Sequence, residues 1–555
     1  MVLALLLLTL AAMARAASST SVAGSTTTAS MAAAAGHCRE EDATTAAATG
    51  SFVDAVSTTG WGLLTVNSSA SAAPLDQAFA AGCVEAKLTA QQTHDYWLNY
   101  MKEEYHALVP PPKVVAFMEH QQAWLRTQIA AAGNQGDPYW EAMGLVLAQW
   151  DGFAQGILQY ATMEQHQILT PSSLYLLCSV GDLETINGLV RGDSLPVPSL
   201  ATEDKLPCSS LISLQTEPGG SVSDIFASQA TWRSYYAMLR IYKVYSFDFY
   251  PQKVLTIASS PGLLHSKDDF LSSPTLWVAE TTNMVSNRTM RQWNVDHSNK
   301  SALSWQRSMV ASGWAGSGKE WVDLFSRENS GTYNNQWMVL DASRVNIGER
   351  LPTTGVLWIA EQVPGLVATM DVTAVLAETG YWPSYNIAYI PEIYAWSGYP
   401  ANRSAADGYD GAPRAQIFSR EAPKVKNWAE FKRLIRLNDF ENDPVCAVGC
   451  SCIGTDGVCN HSCAFQAKRS GDCAISARGD LPGPRGGAFG GIDAKVLKLS
   501  SMHAVLPPQS GRPPQVQAQS GPTHDQQPPF SWSAFPNVSH VGVPEVFDFD
   551  WITIG

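Results

Sequence analysis

Leu206-Pro207-Cys208-Ser209-Ser210-Leu211-Ile212-Ser213-Leu214 is the stretch on which the fold turns. A polar, proline-containing run from Gly192 to Pro207 leads into it, and from Cys208 onward the residues read as a strand. Upstream, Val114, Phe117, Met118 and Leu125 share one face of a helix. Asp137-Pro138 caps another, whose Trp140, Met143, Leu147, Trp150, Ala154 and Ile157 recur at the 3.6-residue period of a buried face. Gly60-Trp61-Gly62-Leu63-Leu64-Thr65-Val66 is strand-like, and order is expected to begin near it. Downstream, Trp232, Tyr235, Tyr236, Leu239 and Tyr242 are spaced as a helical stripe. Strands are expected at Gln336–Asp341, Val356–Val363 and Gly365–Val372, the last two meeting at Pro364. The tail from Leu506 to Pro529 is rich in Pro and Gln and should be extended. Helices first, then strands with helices between them, describe an α+β protein.

The chain has 555 residues, 45% of them hydrophobic, with 18 Trp, 18 Tyr and 18 Phe, which is ample for a large packed core. Net charge is −14, from 36 basic and 50 acidic residues. An acidic chain with no basic run argues against a nucleic-acid partner. It would also bind anionic membranes poorly.

Residues 1–17 carry an apolar run followed by Ala14-Arg15-Ala16, and read as a secretory signal peptide. No later stretch stays apolar over the roughly 20 residues that span a bilayer, so no transmembrane segment is expected. Residues 18–50 are rich in Ala, Ser and Thr and are expected to be disordered. Asn-x-Ser/Thr sequons at Asn67, Asn287, Asn299, Asn402, Asn460 and Asn537 point to glycosylation in an oxidising compartment. Six of the ten cysteines (Cys446, Cys450, Cys452, Cys459, Cys463 and Cys473) crowd into residues 446–473, a surface insertion expected to hold three local disulfides. Zinc is the alternative use of such a cluster. Cys38, Cys83, Cys178 and Cys208 are scattered, and Cys208 could also be half of a disulfide with Cys178 or Cys83.

Several short matches are set aside. Gly313 to Lys319 imitates a phosphate loop, but Glu320 stands where a Ser or Thr must hold magnesium. Arg191-Gly192-Asp193 and Arg478-Gly479-Asp480 matter only on exposed loops. Gly192-Asp193-Ser194-Leu195 spells a serine-esterase motif, yet no histidine has an aspartate three residues before it, and no G-x-S-x-G elbow occurs.

A set of longer segments carries more. Ala80-Ala81-Gly82-Cys83-Val84-Glu85-Ala86, Leu206 to Ile212, Thr231-Trp232-Arg233-Ser234-Tyr235 and Met238-Leu239-Arg240-Ile241 come first. Glu280-Thr281-Thr282-Asn283, Gly331 to Trp337, Tyr381 to Ile387, Asp410 to Phe418, Ala474 to Arg478 and Gly490-Gly491-Ile492-Asp493 follow. Taken in order, from about residue 55 to the C-terminus, they resemble the phospholipase B-like family.

The resemblance implies an N-terminal-nucleophile hydrolase fold, a four-layer αββα sandwich. It implies a precursor cut between Pro207 and Cys208 into fragments 51–207 and 208–555 that stay associated. Cys208 would be the nucleophile and its new α-amine the base. Asn386 would donate to the oxyanion, and Arg414, Thr282 and Trp232 would line the pocket. The family has a histidine three residues before the equivalent of Trp232; here Gln229 occupies that place, and it cannot take up a proton. No cofactor and no metal are implied. The implied activity is hydrolysis of an acyl ester of a lipid, in the lysosomal lumen or outside the cell. An amidase acting on N-acyl lipids or peptides is one alternative, and a non-catalytic glycoprotein that binds lipid or a protein partner is another.

Overall fold

The computed structural model describes residues 24–34, 36–132, 136–191, 208–267, 269–447, 470–481 and 487–555. The leader at 1–17, the Gly192–Leu195 motif, Pro207, Asn460 and four of the clustered cysteines lie outside these residues. In chain order the strands are β1 (Ser25–Ala34), β2 (His37–Glu40), β3 (Ala48–Ala55), β4 (Trp61–Ser68), β5 (Ser209–Thr216), β6 (Val222–Ser234) and β7 (Arg240–Ser246). Then come β8 (Val254–Ser259), β9 (Phe270–Ser272), β10 (Leu276–Thr282), β11 (Asn335–Asp341), β12 (Leu357–Val363), β13 (Leu366–Asp371) and β14 (Tyr381–Ser384). The last are β15 (Phe489–Lys498), β16 (Val516–Ser520), β17 (Phe530–Ser531), β18 (Val546–Phe547) and β19 (Ile552–Ile554).

Eleven of them form one sheet in the order β13-β12-β11-β10-β9-β8-β7-β4-β3-β1-β2, and six form a second in the order β14-β5-β6-β15-β16-β19. Neighbours run antiparallel except β4 and β7, which are parallel. The two sheets face each other: Gln229 on β6 donates from Nε2 to the Glu280 carbonyl of β10 at 3.0 Å. Helices cover the outer face of each sheet. Leu64, Val66 and Tyr245 of the larger sheet share a core with Trp97 and Phe153 of the helices Pro74–Tyr105 and Pro138–Tyr160. On the smaller sheet Phe226 packs edge-on against Trp428 of the helix Trp428–Ile435. The α+β class expected from the sequence is the one observed.

Two glycines set the spacing of the covering helices. A Cβ on Gly82 would fall 1.9 Å from the Gln149 carbonyl oxygen, and one on Gly152 would fall 1.9 Å from that of Phe79. The helices Pro74–Tyr105 and Pro138–Tyr160 therefore touch backbone to backbone, which only glycine permits. A disulfide joins Cys38 on β2 to Cys83 beside this crossing.

Two expectations are corrected. Residues 25–34, 37–40 and 48–50 are strand, not disordered: β1 pairs with β3 over Ser25–Met31 and with β2 over Met31–Ala34, and its small side chains let the helix Pro74–Tyr105 lie close upon it, burying Ala29 and Met31. The aromatic stripe from Trp232 to Tyr242 is not a helix. It covers the end of β6, a single 3-10 turn at Tyr235–Ala237 and the start of β7. Every residue of it except Ser234 is buried, and a strand covered on both faces loses the alternation that would distinguish it.

Candidate active site

Cys208 sits at the head of β5, buried, with its backbone in the left-handed region at φ 75°. A non-glycine residue held there is strained and needs partners to hold it. Arg414 supplies the hold from the first turn of the helix Pro413–Glu421, which Pro413 starts. Its Nη1 donates to the Cys208 carbonyl and, at 3.2 Å, to Ser209 Oγ; its Nη2 donates to Asn386 Oδ1 at 2.7 Å. The guanidinium also lies 4.4 Å from the centre of the Trp232 ring. Burial pulls the Arg414 guanidinium down to about 10, while the Cys208 sulfur pushes it back up. It stays a cation at any pH near neutral.

Asn386 is the second strained residue, at φ 71° in the turn after β14. Its side chain accepts from Arg414, and its Nδ2 donates to the Thr282 carbonyl at 2.7 Å. That bond uses one of the two hydrogens on Nδ2. Its backbone carbonyl accepts from Tyr399 Oη at 2.7 Å. The turn behind it is clamped by Glu361 on β12, which takes the backbone N–H groups of Tyr389 and Ile390 at 2.7 and 2.8 Å. Thr282 ends β10, half-buried. Trp232 donates from Nε1 to the Ile475 carbonyl at 3.2 Å, which turns its ring face toward Arg414.

Cys208, Asn386, Arg414, Trp232 and Thr282 thus meet at one end of the inter-sheet layer, although up to 206 positions separate them in the chain. Gln229 stands next to them with both ends of its amide engaged. Nε2 binds the Glu280 carbonyl, and Oε1 accepts from Thr231 Oγ1 at 3.2 Å. The competing readings of the cysteines resolve as well. Cys83 is bonded to Cys38, Cys178 remains a thiol, and Cys208 is in no disulfide. Cys178 donates to the Gly262 carbonyl at 3.2 Å, and burial pushes its thiol up to about 12, so it is inert near neutral pH. In the cluster at 446–473, Cys446 is bonded to Cys473. No set of His, Cys, Asp and Glu among the described residues could hold a metal ion.

The decoys fall away. Ser317 caps the helix Gly318–Ser326 by accepting from Glu320 N, so the phosphate-loop imitation is an ordinary helix start. Arg478 is buried and paired with Asp480 at 2.7 Å. Asn67, Asn402 and Asn537 are exposed, and Asn287 and Asn299 half-buried.

A buried group that the sequence did not single out as functional adjoins Thr231, the β6 residue level with Cys208: Asp493 and Lys495 on β15 and Arg240 on β7. Lys495 Nζ lies 2.5 Å from Asp493 Oδ1, and Arg240 Nε lies 3.0 Å from Asp493 Oδ2, all of them fully buried. The signal was an Asp and a Lys two apart on one face of an otherwise apolar strand, which is an expensive arrangement unless paired.

Fold and site together define an α+β protein with a buried, strained cysteine at a strand head, clamped by an arginine and an asparagine. Comparison with known proteins gives the family. The Phospholipase B model matches residues 48–554. The chain is 34% identical to Phospholipase B-like protein G of Dictyostelium discoideum over 91% of its own length and 86% of that protein. It is 36% identical to human Phospholipase B-like 1 and 33% identical to Phospholipase B of Crotalus adamanteus, covering 87% and 88% of them. This chain belongs to the phospholipase B family. No helix among the described residues is long and apolar enough to cross a membrane.

Proposed function

We propose that this protein hydrolyses an acyl ester of a lipid through Cys208, after the chain is cut between Pro207 and Cys208 as in N-terminal-nucleophile hydrolases. The observation that carries the reading is the clamp on Cys208: a strained strand head whose carbonyl is gripped by Arg414, which also grips Asn386.

In the cut, the Cys208 sulfur bonds to the Pro207 carbonyl carbon and the carbon–nitrogen bond to Cys208 breaks. The thiol proton ends on the freed nitrogen, which becomes the α-amine. Water then cleaves the thioester, leaving a carboxylic acid on Pro207 and restoring the thiol. In turnover the amine accepts the thiol proton while the sulfur attacks the substrate carbonyl. It returns that proton to the leaving alkoxide, and water releases the fatty acid. The remaining Nδ2 hydrogen of Asn386 is suited to the developing oxyanion; one such donor is worth about 3–4 kcal/mol of barrier. Gln229 serves as a spacer between β6 and β10, since both of its amide ends are committed. The two fragments stay together because Leu64 and Val66 share one core with Tyr245 and Leu255. Passage through the secretory pathway, with glycans on the exposed sequons, completes the reading.

The test is intact mass and N-terminal sequencing of the protein after incubation at acidic pH, beside Cys208→Ala. A fragment beginning at Cys208, absent from the variant, supports the mechanism. Fatty-acid release from phosphatidylcholine vesicles, compared with release from N-acyl amides, then separates esterase from amidase. A wild-type chain that stays uncut refutes the hydrolase reading and favours a binding protein.

A further inference from the structure

Resting on the reading of Cys208 as nucleophile, the buried charges behind it carry a second step. Ser209 lies opposite Ala230, so one residue back along the strand Cys208 comes beside Thr231. Thr231 in turn lies opposite Asp493 on its other side. Thr231 Oγ1 accepts from Lys495 Nζ and donates to Gln229 Oε1. Lys495 is therefore pinned between Asp493 and Thr231, with the Phe270 ring 6.0 Å from its Nζ. One carboxylate faces two buried cations here, because Arg240 holds the other oxygen of Asp493. A buried cation without an anion of its own is costly, and a sulfur anion across Thr231 would balance it.

We propose that Lys495 is a positioning residue for the nucleophile: its ammonium, tethered by Asp493 and Thr231, stabilises the Cys208 thiolate. The need arises because the uncut chain has no free α-amine and residue 229 is not a histidine. The charged groups that act on the sulfur are Arg414 from the Pro413–Glu421 helix and Lys495 from β15; Asp493 of β15 and Arg240 of β7 stand behind Lys495. Glu280 gives its backbone carbonyl to Gln229, and its carboxylate accepts from Asp269 N and Tyr333 Oη. Burial pulls the Lys495 ammonium below its ordinary value and Arg240 adds to this, while Asp493 and the Cys208 sulfur push it back up.

The experiment is the thiolate ultraviolet absorbance of the full chain against pH, taken as the difference between each protein and its Cys208→Ser counterpart. Cys178 and the clustered cysteines cancel in that difference. Lys495→Met should raise the titration midpoint by about one pH unit, a tenfold loss of thiolate at fixed pH. Lys495→Arg should restore it. Thr231→Val, which keeps the side-chain shape and frees the ammonium, should move it the same way by less, and it decides the matter if Lys495→Met does not fold. A midpoint equal to wild type in Lys495→Met, or in Thr231→Val where that variant must stand in, overturns the proposal. The readout needs no turnover, so a wild-type chain that is never cut refutes the hydrolase while the titration still judges Lys495.

Discussion

Glu361 makes the protein's stability depend on pH in a direction opposite to most carboxylates. It is wholly buried on β12, accepting from Gln336 Nε2 at 2.6 Å and from the backbone N–H groups of Tyr389 and Ile390. Burial pushes its carboxyl from 4.5 up to about 7, the hydrogen bonds and Arg403 offsetting only part of that cost. Between those two values the folded chain holds a proton that the unfolded chain has released. Stability from this group is therefore complete below pH 4.5 and is lost as pH rises toward 7. At 1.36 kcal/mol per pH unit the loss is about 3 kcal/mol. Glu361→Gln keeps the shape and removes the titration. Urea unfolding at a series of pH values from acid to neutral should show the wild type losing about 3 kcal/mol more than Glu361→Gln across that window. Because Glu361 clamps the turn that carries Asn386, protection of the Tyr389 and Ile390 amides, relative to their intrinsic exchange at each pH, should fall in the same window in wild type alone. Parallel pH profiles for the two proteins would refute the reasoning.

Gly82→Ala forces a methyl to 1.9 Å from the Gln149 carbonyl. Thermal unfolding should show a loss of at least about 2–3 kcal/mol, where an ordinary helical Gly→Ala would stabilise. Arg414→Met leaves the Cys208 carbonyl and Asn386 Oδ1 without their charged donor, which should cost about 2–4 kcal/mol by denaturant titration. It should also abolish the cut before Cys208 by gel assay, with Arg414→Lys recovering only part because an ammonium cannot span both acceptors. Gln229→Leu strips the Glu280 carbonyl of its donor and should destabilise by about 1–3 kcal/mol. Since glutamine carries no proton, its pH–rate profile should keep every ionisation that wild type shows, displaced only as far as Thr231 and Lys495 move; a lost ionisation would restore a proton-transfer role to this position.

How far the sequence could be read follows from what each element shows to its surroundings. β5, β11, β12 and β13 were legible because apolar residues run between clear breakers, such as the Pro364-Gly365 turn. The helix Pro138–Tyr160 was legible because Asp137 caps it, accepting from Tyr139 N at 3.0 Å, and because one face is apolar. β1 was not: Ser, Thr and Ala in a row look unable to bury anything, and their use as a thin strand under a long helix exists only in three dimensions. The segment Trp232–Tyr242 failed for the opposite reason, since burial on every side erases the period. Of the candidate site, Cys208, Asn386 and Arg414 were reached through the family resemblance, not through spacing. Asp493 and Lys495 needed no relative, only notice of two charges on one face of an apolar strand.

That pair also bears on why the site is built as it is. The chain carries a net charge of −14, yet Arg240, Arg414 and Lys495 converge on the neighbourhood of Cys208 with Asp493 among them as the paired anion. Burial alone would raise the Asp493 carboxyl, and Lys495 and Arg240 hold it below its ordinary value. Asp493 then stands between two buried cations, Arg240 and Lys495. In such a place the ionised form of a thiol completes the balance that the fold leaves open. A histidine at position 229 would bring a further proton into this surplus of positive charge. Glutamine brings none, and its two hydrogen bonds hold β6 and β10 at the spacing that keeps Thr231 between Lys495 and the sulfur. On this proposal Gln229 belongs with Lys495 as one device, the amide holding the spacing of β6 and β10 and β15 supplying the cation.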